Sequence, residues 1–394
     1  MVVSDRVVEH GETVAGIAAP PPGATFHPRT ARVRLVGPDV TRALALIGVI
    51  VMNYHGYLNQ AAAAFIEDPT FAQRLFNPWT GVLATRFAAT FTLVAGVGVT
   101  LLTNRSRLGG APAAISADRW RLFRRGTLLY CAGMVLDWIW SGTIIPFYGA
   151  MFVLAAVLFT LRTRWIVAVG TGAMLGAVAI QWWGIGREAQ GGYPVWLFYP
   201  DTLVNRSPRG LVLDLFVNGT HPLLPWLTFF CAGIVIGRSL PRVRYLWVAA
   251  GGIALTAITY AINHWVTTDD PIGRAARAVL STRPFDRALL YTLCTLGTSI
   301  AAFCLVSYVA GRFPTSRPVR VLQLAGQTSL TLYLGHVLVF NLLVNRLEWI
   351  RPTGLDTALL LALGYWVVAL VAANGWQRRF GIGPAEWVYR RFGD

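Results

Sequence analysis

The chain has 394 residues, of which 55% are hydrophobic and only 13% are charged, and its mean hydropathy is +0.52. Soluble proteins carry roughly 25% charged residues, so the composition excludes an ordinary soluble domain and predicts a helical membrane protein that crosses the bilayer several times. The net charge is +16 and all 34 basic residues are Arg. Nucleic-acid binding is not predicted, because most of these Arg residues flank apolar runs, where they meet lipid headgroups.

The N-terminal segment 1–40 is rich in Pro and Ala and has no apolar run as long as that of a signal peptide. It is predicted to be a disordered cytoplasmic tail. The rest of the chain, 41–394, is predicted to be one transmembrane domain.

Ten apolar stretches are each close to the length that crosses roughly 30 Å of hydrocarbon. We therefore predict an all-α bundle of about ten spans, with a short amphipathic segment at 210–217 lying in the membrane interface. The predicted spans are about 42–59, 82–103, 122–140, 143–161, 165–183, 223–239, 245–265, 287–311, 321–344 and 356–376.

Arginine is unevenly distributed over the loops between these spans. Most of it lies in the tail, in the loops that follow even-numbered spans, and after the last span, whereas the opposite loops carry Arg and acidic residues in similar numbers. The Arg-rich face of a membrane protein is normally cytoplasmic. Both termini are therefore predicted to lie inside a bacterial plasma membrane.

The stretch Asn53-Tyr54-His55 places an amide, a phenol and an imidazole at the outer end of the first span. Polar groups at membrane depth are costly, so they usually have a partner or a function. Asn53 can equally be a structural hydrogen-bond partner of a neighbouring helix, and His55 can equally face lipid headgroups. The sequence leaves these alternatives open.

Other polar side chains are predicted at the same outer depth. Arg86 lies within the second span, where an unpaired guanidinium costs several kcal/mol, and Asp137 at the end of the third span is one candidate partner. Asp137 can also be a simple interface marker among Trp residues. Tyr148 lies in the fourth span and Tyr333 and His336 in the ninth, and a neutral His336 bonded to its neighbours is the structural alternative to a functional imidazole.

Imidazoles beside a fixed cation suit acyl transfer. A His can take a proton from an acceptor hydroxyl or amine, or carry the acyl group itself, and an Arg or an amide can stabilise the oxyanion. No HExxH motif or carboxylate cluster indicates a metal site.

Six segments of the chain resemble sequence blocks of known membrane proteins and occur in the same order. They are "GPDVTRALALIGVIVMNY", "NPWTGVLATRFAATFTLVAGVGVTLL", "IIPFYGAMFVL", "HPLLPWLTFFCAGIVIGR", "LAGQTSLTLYLGHVLV" and "FGIGPAEWVYRRF". Together they resemble the bacterial YeiB-like family, the domain of unknown function 418, and heparan-alpha-glucosaminide N-acetyltransferase. The matched positions include Asp39, Arg42, Asn53, Trp79, Gly81, Arg86, Gly96, Tyr148, Gly149, Pro225, Trp226, Gly233, Gly237, Arg238, Gly326, Leu330, Thr331, Tyr333, His336, Gly383, Pro384, Glu386, Trp387 and Arg390.

The sequence departs from the acetyltransferase pattern at one position that matters. That enzyme carries a catalytic His shortly before its W-x-G motif, whereas this chain has Phe76 and Asn77 there. The nearest imidazole along the sequence is His55. Either His55 has taken the role, or this chain performs different chemistry.

The resemblance implies a transmembrane acyltransferase-like protein. The predicted reaction moves an acyl group from cytosolic acyl-CoA to an extracytoplasmic glycan, lipid or metabolite, and the resemblance favours acetyl as that group. The predicted catalytic residues are His55, His336, Arg86 and Asn53, the acceptor is expected to meet Tyr148, Asp137 and Tyr333, and Arg42 and Arg238 are expected to meet the phosphates of CoA.

Two alternatives belong to other classes. A transporter or flippase would use the same intramembrane Arg and His residues as a substrate or proton pathway, and a structural partner of an envelope assembly would use neither. The sequence also leaves open a homodimer.

Overall fold

A computed structural model of the chain describes residues 35–59, 68–192, 194, 207–266, 271–351 and 354–393. Within these ranges every regular element is helical. The fifteen α-helices described below are Val36–Asn59 (α1), Phe71–Leu75 (α2), Arg86–Gly109 (α3), Pro112–Leu136 (α4), Ile145–Leu158 (α5), Thr163–Ala189 (α6), Pro208–Leu213 (α7), Leu223–Ser239 (α8), Tyr245–Trp265 (α9), Pro271–Val279 (α10), Leu289–Arg312 (α11), Arg317–Gln327 (α12), Ser329–Phe340 (α13), Leu355–Phe380 (α14) and Pro384–Gly393 (α15).

Seven of the described helices are long and apolar enough to cross a membrane, or eight if the bent pair α12–α13 counts as one span. The prediction of an all-α membrane protein with several spans is thus confirmed. Two further predicted spans, 122–140 and 143–161, correspond to α4 and α5. Neither of these two helices is both long and apolar enough to count among the seven. The first half of α4 is charged, and α5 has only 14 residues.

The N-terminal boundary of the domain lies earlier than predicted. Residues 1–34 of the predicted tail fall outside the described residues, but 36–40 already belong to α1. The predicted tail is therefore wrong over these last residues, because Val40 is buried against Val319 and Ala310 instead of being solvated.

Helix α1 is the central element of the described bundle, since it packs against α3, α11, α12, α13 and α14. Other helices pack closely in pairs. A Cβ atom at Gly96 of α3 would lie 2.1 Å from the carbonyl oxygen of Phe230, and one at Gly233 of α8 would lie 1.9 Å from that of Leu93. Small residues let two membrane helices approach this closely, which gives a physical reason for both glycines.

The predicted ninth span, 321–344, is broken. Helices α12 and α13 meet at a bend of 78°, with Thr328 between them. The backbone N–H groups of Leu330 and Thr331, freed by the break, donate to the Glu386 carboxylate at 2.7 and 3.1 Å, and the Thr331 hydroxyl donates to it at 2.6 Å. A side-chain carboxylate from α15 thus caps α13.

Three short helices were not predicted from the sequence: α2, α10 and α15. The first begins with a capping box, in which Thr70 and Gln73 exchange hydrogen bonds between side chain and backbone. The amphipathic segment predicted at 210–217 is confirmed as helical, since α7 continues into a π-helical turn at Asp214–Asn218.

Candidate functional site

The C-terminal end of α1 presents its polar residues to two different sides. Successive residues of an α-helix are about 100° apart, so positions 53 and 55 point in directions about 200° apart. Asn53 meets α13, whereas His55 meets the loop before α3. The stretch that the sequence presents as one polar cluster therefore serves two separate environments.

On the first side, His336 is fully buried and both of its ring nitrogens have partners. Its Nδ1–H donates to the Tyr333 carbonyl, so Nε2 is the nitrogen that accepts from the Asn53 amide, at 3.3 Å. The Tyr54 hydroxyl donates to the carbonyl of His336 at 3.0 Å. Asn53 and His336, which the sequence predicts only at a similar depth, are therefore in contact, and each ring nitrogen of His336 has a hydrogen-bond partner.

Aromatic rings close this first side. The imidazole of His336 lies edge-on to Trp140 and Tyr333, with ring centroids 5.3 and 4.7 Å apart. The Tyr333 hydroxyl shares a hydrogen bond of 2.9 Å with Thr143, and Tyr57 stacks on Trp140 at 3.8 Å. Within the described residues, these contacts leave the ring of His336 no exposed surface.

On the second side, His55 is buried but only one of its ring nitrogens is bonded. Nδ1–H donates to the carbonyl oxygen of Phe76 at 2.7 Å, which fixes the tautomer and leaves Nε2 with its lone pair. Among the described residues, Nε2 has no hydrogen-bond partner. An imidazole held in this way is prepared to accept a proton.

The loop that holds His55 is built by its own sequence. The Asn77 side-chain oxygen accepts from the backbone N–H groups of Trp79 and Thr80, both at 2.9 Å. A Cβ at Gly81 would lie 2.5 Å from the Asn77 carbonyl oxygen, so only glycine fits. Pro78 packs on Gly56 of α1, where an added Cβ atom would lie 3.4 Å from the Cβ of Pro78. The W-T-G motif is therefore a tight turn seated on α1.

Arg86 is buried among neutral partners. It donates to the Val82 carbonyl at 3.3 Å, to the Tyr260 hydroxyl at 3.1 Å, to Cys294 Sγ at 3.0 Å and to the Thr295 hydroxyl. No carboxylate of the described residues pairs with it. The candidate pair with Asp137 is wrong, because the Asp137 carboxylate instead accepts from the Gly142 N–H at 2.8 Å and closes its own turn.

Arg86 and His55 nevertheless bind the same loop. Arg86 holds the carbonyl of Val82 while His55 holds that of Phe76. Thr85, at the junction with α3, has a left-handed backbone (φ 65°) and shares a hydrogen bond of 2.9 Å with Tyr291. The loop 76–85 is thus fixed from α1, α9 and α11 together.

The remaining predicted site residues lie elsewhere. Tyr148 is buried between α5 and α3, where its hydroxyl bonds to Thr92 at 3.2 Å. Arg42 lies 3.7 Å from Asp39 and keeps about a quarter of its side chain exposed. Arg238 donates to the carbonyls of Phe159 and Leu161 at the end of α5, at 2.9 and 2.8 Å.

Sequence reasoning missed two contributors to the site. The Phe76 carbonyl that orients His55 is a backbone atom and carries no sequence signal. Trp140, which covers the imidazole of His336, is one of the Trp residues beside Asp137 that the sequence predicts only at the membrane interface. A Trp at the end of an apolar run can lie either at the membrane interface or inside the bundle, and the sequence pattern alone does not distinguish these two positions.

The comparisons with known proteins cover the C-terminal part of the chain. A family model described as "Protein of unknown function (DUF418)" matches residues 237–393. This range contains His336 and Glu386 but neither His55 nor Arg86. No curated protein matches the chain.

Proposed function

On the premise that residues 237–393 carry the DUF418 match, which bears out the resemblance to the YeiB-like family, we propose that the chain is an integral membrane acyltransferase. It moves an acyl group, in the first instance acetyl, from cytosolic acyl-CoA to a hydroxyl or amine of an extracytoplasmic glycan, lipid or metabolite. In this proposal the protein lies in a bacterial plasma membrane, spans it ten times, and has both termini in the cytoplasm.

One observation carries the proposal: the 2.7 Å hydrogen bond between His55 Nδ1 and the Phe76 carbonyl. The resembling acetyltransferase carries its catalytic His in this segment, just before W-x-G. The imidazole that the segment lacks is thus supplied from α1, with its tautomer fixed and Nε2 available as a base.

The proposed step begins when Nε2 of His55 takes the proton of the acceptor O–H or N–H. The acceptor atom attacks the thioester carbonyl, and the tetrahedral intermediate collapses by breaking its C–S bond. The CoA thiolate that leaves takes the proton back from the imidazolium, so the acceptor is acylated and CoA leaves as the thiol.

The other predicted catalytic residues support this step from a distance. The hydrogen bonds of Arg86 go to Val82, Thr295 and other neutral groups, so we assign Arg86 to holding the loop 76–85. His336 has both ring nitrogens occupied, so we assign it, with Asn53, to fixing α1 against α13. Both are positioning residues in the proposal.

The donor side is proposed at the opposite end of α1. Arg42 is partly exposed and its pairing with Asp39 is loose at 3.7 Å, so its guanidinium can meet a CoA phosphate at little cost. Arg238 already donates to three acceptors around the end of α5. We therefore assign Arg238 to anchoring that helix.

The experiment is labelling of envelope material in vesicles by radiolabelled acetyl-CoA. We expect His55→Ala to abolish labelling, because no other base of this loop replaces Nε2. His264→Ala is the matched control, since His264 is an exposed imidazole at the end of α9, and it should label as wild type. Normal labelling by the His55 variant would remove His55 from the reaction, and a wild type that labels no acceptor in a broad panel would refute acyl transfer.

The broken span α12–α13 favours a second function, that of a transporter. Discontinuous helices commonly form substrate sites in transporters, and the 78° bend capped by Glu386 has this form. Solute uptake by vesicles without acetyl-CoA would support transport, whereas strict dependence of all activity on acetyl-CoA would exclude it.

A further inference from the structure

A cavity of about 340 Å³ lies away from both sides of α1. Its walls come from α6, the π-helical turn after α7, the start of α8 and the loop before α11. The lining residues are Ala177, Ile180, Gln181, Val217, Leu224, Phe285, Asp286 and Arg287. The volume is in the range of small-molecule sites, which are largely apolar with a few polar groups.

The loop 280–288 that forms one wall is unusually constrained. Phe285 and Arg287 are non-glycine residues with left-handed backbones, at φ 67° and 55°. Such conformations are unfavourable for residues with a side chain and persist only where the surroundings enforce them. Here the Ser281 hydroxyl donates to the Asp286 carboxylate, and the Thr282 hydroxyl donates to Asn263 at 2.7 Å. The strain is held at the residues that face the cavity.

The polar groups of the cavity are mostly acceptors. The Gln181 amide donates through Nε2 to the Ala278 carbonyl at 3.4 Å, but its buried oxygen has no hydrogen-bond partner among the described residues. The Asp286 carboxylate adds further lone pairs. Arg287 uses Nη2 on the carbonyls of Asn218 and Gly219, at 2.9 and 2.6 Å. A ligand of this cavity therefore finds acceptors for its own donors in the Gln181 oxygen and the Asp286 carboxylate.

The charges exclude a strongly charged ligand. Burial lowers the pKa of Arg287 to about 10, so the guanidinium is still protonated at neutral pH. Burial raises the pKa of Asp286, and the hydrogen bond from Ser281 acts in the opposite direction. Asp286 and Arg287 are neighbours in sequence, so a charged ligand of either sign would lie beside an unfavourable neighbour. An ammonium group would meet Arg287 and an anion would meet Asp286.

We infer that this cavity binds a neutral, hydroxyl-rich group, such as a sugar ring or a polyol headgroup, between the Gln181 oxygen, Asp286 and the ring of Phe285. Hydroxyls donate to the open acceptors, and the apolar walls cover the C–H faces of a ring. A second statement rests on the proposed function, namely that the bound group is the acyl acceptor.

A contact between aromatic rings connects the cavity to the loop that holds His55. Phe285 lines the cavity and also packs on Trp79 of the W-T-G turn, with ring centroids 5.6 Å apart. The segments that hold the proposed ligand and the proposed base are therefore in direct contact.

The test is binding of radiolabelled glucose and of octyl glucoside to the full chain, purified in a polyoxyethylene detergent that contains no sugar. Gln181→Leu removes the open acceptor while keeping size, so we expect about a tenfold loss of affinity for both probes. Gln190→Leu, at an exposed position at the end of the same helix, should bind as wild type. Asp286→Asn provides a second variant whose overall shape is kept, and should also weaken binding.

Each outcome decides the inference. Binding of both probes, weakened by Gln181→Leu, supports a site for the sugar ring itself, and binding of octyl glucoside alone assigns the site to a lipid-linked sugar. Equal binding by wild type and Gln181→Leu, or tighter binding of glucosamine or glucose 6-phosphate than of glucose, overturns it. Sugar binding without any acetyl transfer would leave the site in place and refute only the acyltransferase function.

Discussion

The two sides of α1 use histidine in opposite ways. His336 is fully buried with both nitrogens bonded, whereas His55 is buried with one nitrogen bonded and the other open. A saturated imidazole holds helices together, because losing it leaves buried polar groups without partners. A half-saturated imidazole is oriented but still able to exchange a proton, which is what a general base requires.

The same substitution, His to Asn, can be made on both sides of α1. The largest effect on acetyl transfer is expected from His55→Asn. An Asn amide can still donate to the Phe76 carbonyl but has no basic nitrogen, so acetyl transfer should fall at least about 100-fold while the melting temperature stays near that of wild type. Transfer rates and thermal unfolding of the purified protein measure the two quantities. An active His55→Asn protein would place the base elsewhere.

His336→Asn is expected to show the opposite pattern. The new amide can keep the bond to the Tyr333 carbonyl, but the Asn53 amide loses its partner and the rings of Trp140 and Tyr333 lose contact. We expect a loss of roughly 1–3 kcal/mol of stability, seen as a lower melting temperature, with a smaller effect on transfer than His55→Asn. If His336→Asn instead lost transfer without losing stability, His336 would be the catalytic imidazole.

The smallest effect is expected from Tyr333→Phe. This change removes only the hydroxyl that bonds to Thr143 at 2.9 Å, and the ring that covers His336 remains. The cost should be about 1 kcal/mol, measurable as a small decrease in melting temperature beside wild type. A large loss of transfer in this variant would mean that the hydroxyl meets the acceptor, as the sequence predicts for Tyr333.

Much of the architecture was accessible from sequence because lipid imposes a simple rule of length and hydropathy. The span predicted at 245–265 coincides with α9, and that at 223–239 coincides with α8. The break between α12 and α13 was not accessible, since Gly326-Gln327-Thr328-Ser329 interrupts the apolar run but contains no Pro that would predict a broken helix. Its cause is a partner distant in sequence, Glu386, and no local pattern reports such a partner.

The candidate site was accessible only in part. Periodicity does place positions 53 and 55 on opposite faces of a helix, but it does not say which neighbour each face meets. The pairing of Asn53 with His336 across 283 positions, and of His55 with a backbone carbonyl, depends on tertiary packing. The neutral partners of Arg86 escaped prediction for the same reason, because a hydroxyl or a thiol is inconspicuous in an apolar sequence.

The Glu386 carboxylate that caps α13 belongs to the last short helix, α15. It nevertheless stabilises a helix whose His336 contacts α1 at the centre of the bundle. A premature stop codon just before Pro384 would delete only the final short helix and no predicted span. It would nevertheless leave the N–H groups of Leu330 and Thr331 without their acceptor. Such a late truncation should therefore destabilise the protein about as much as an internal deletion.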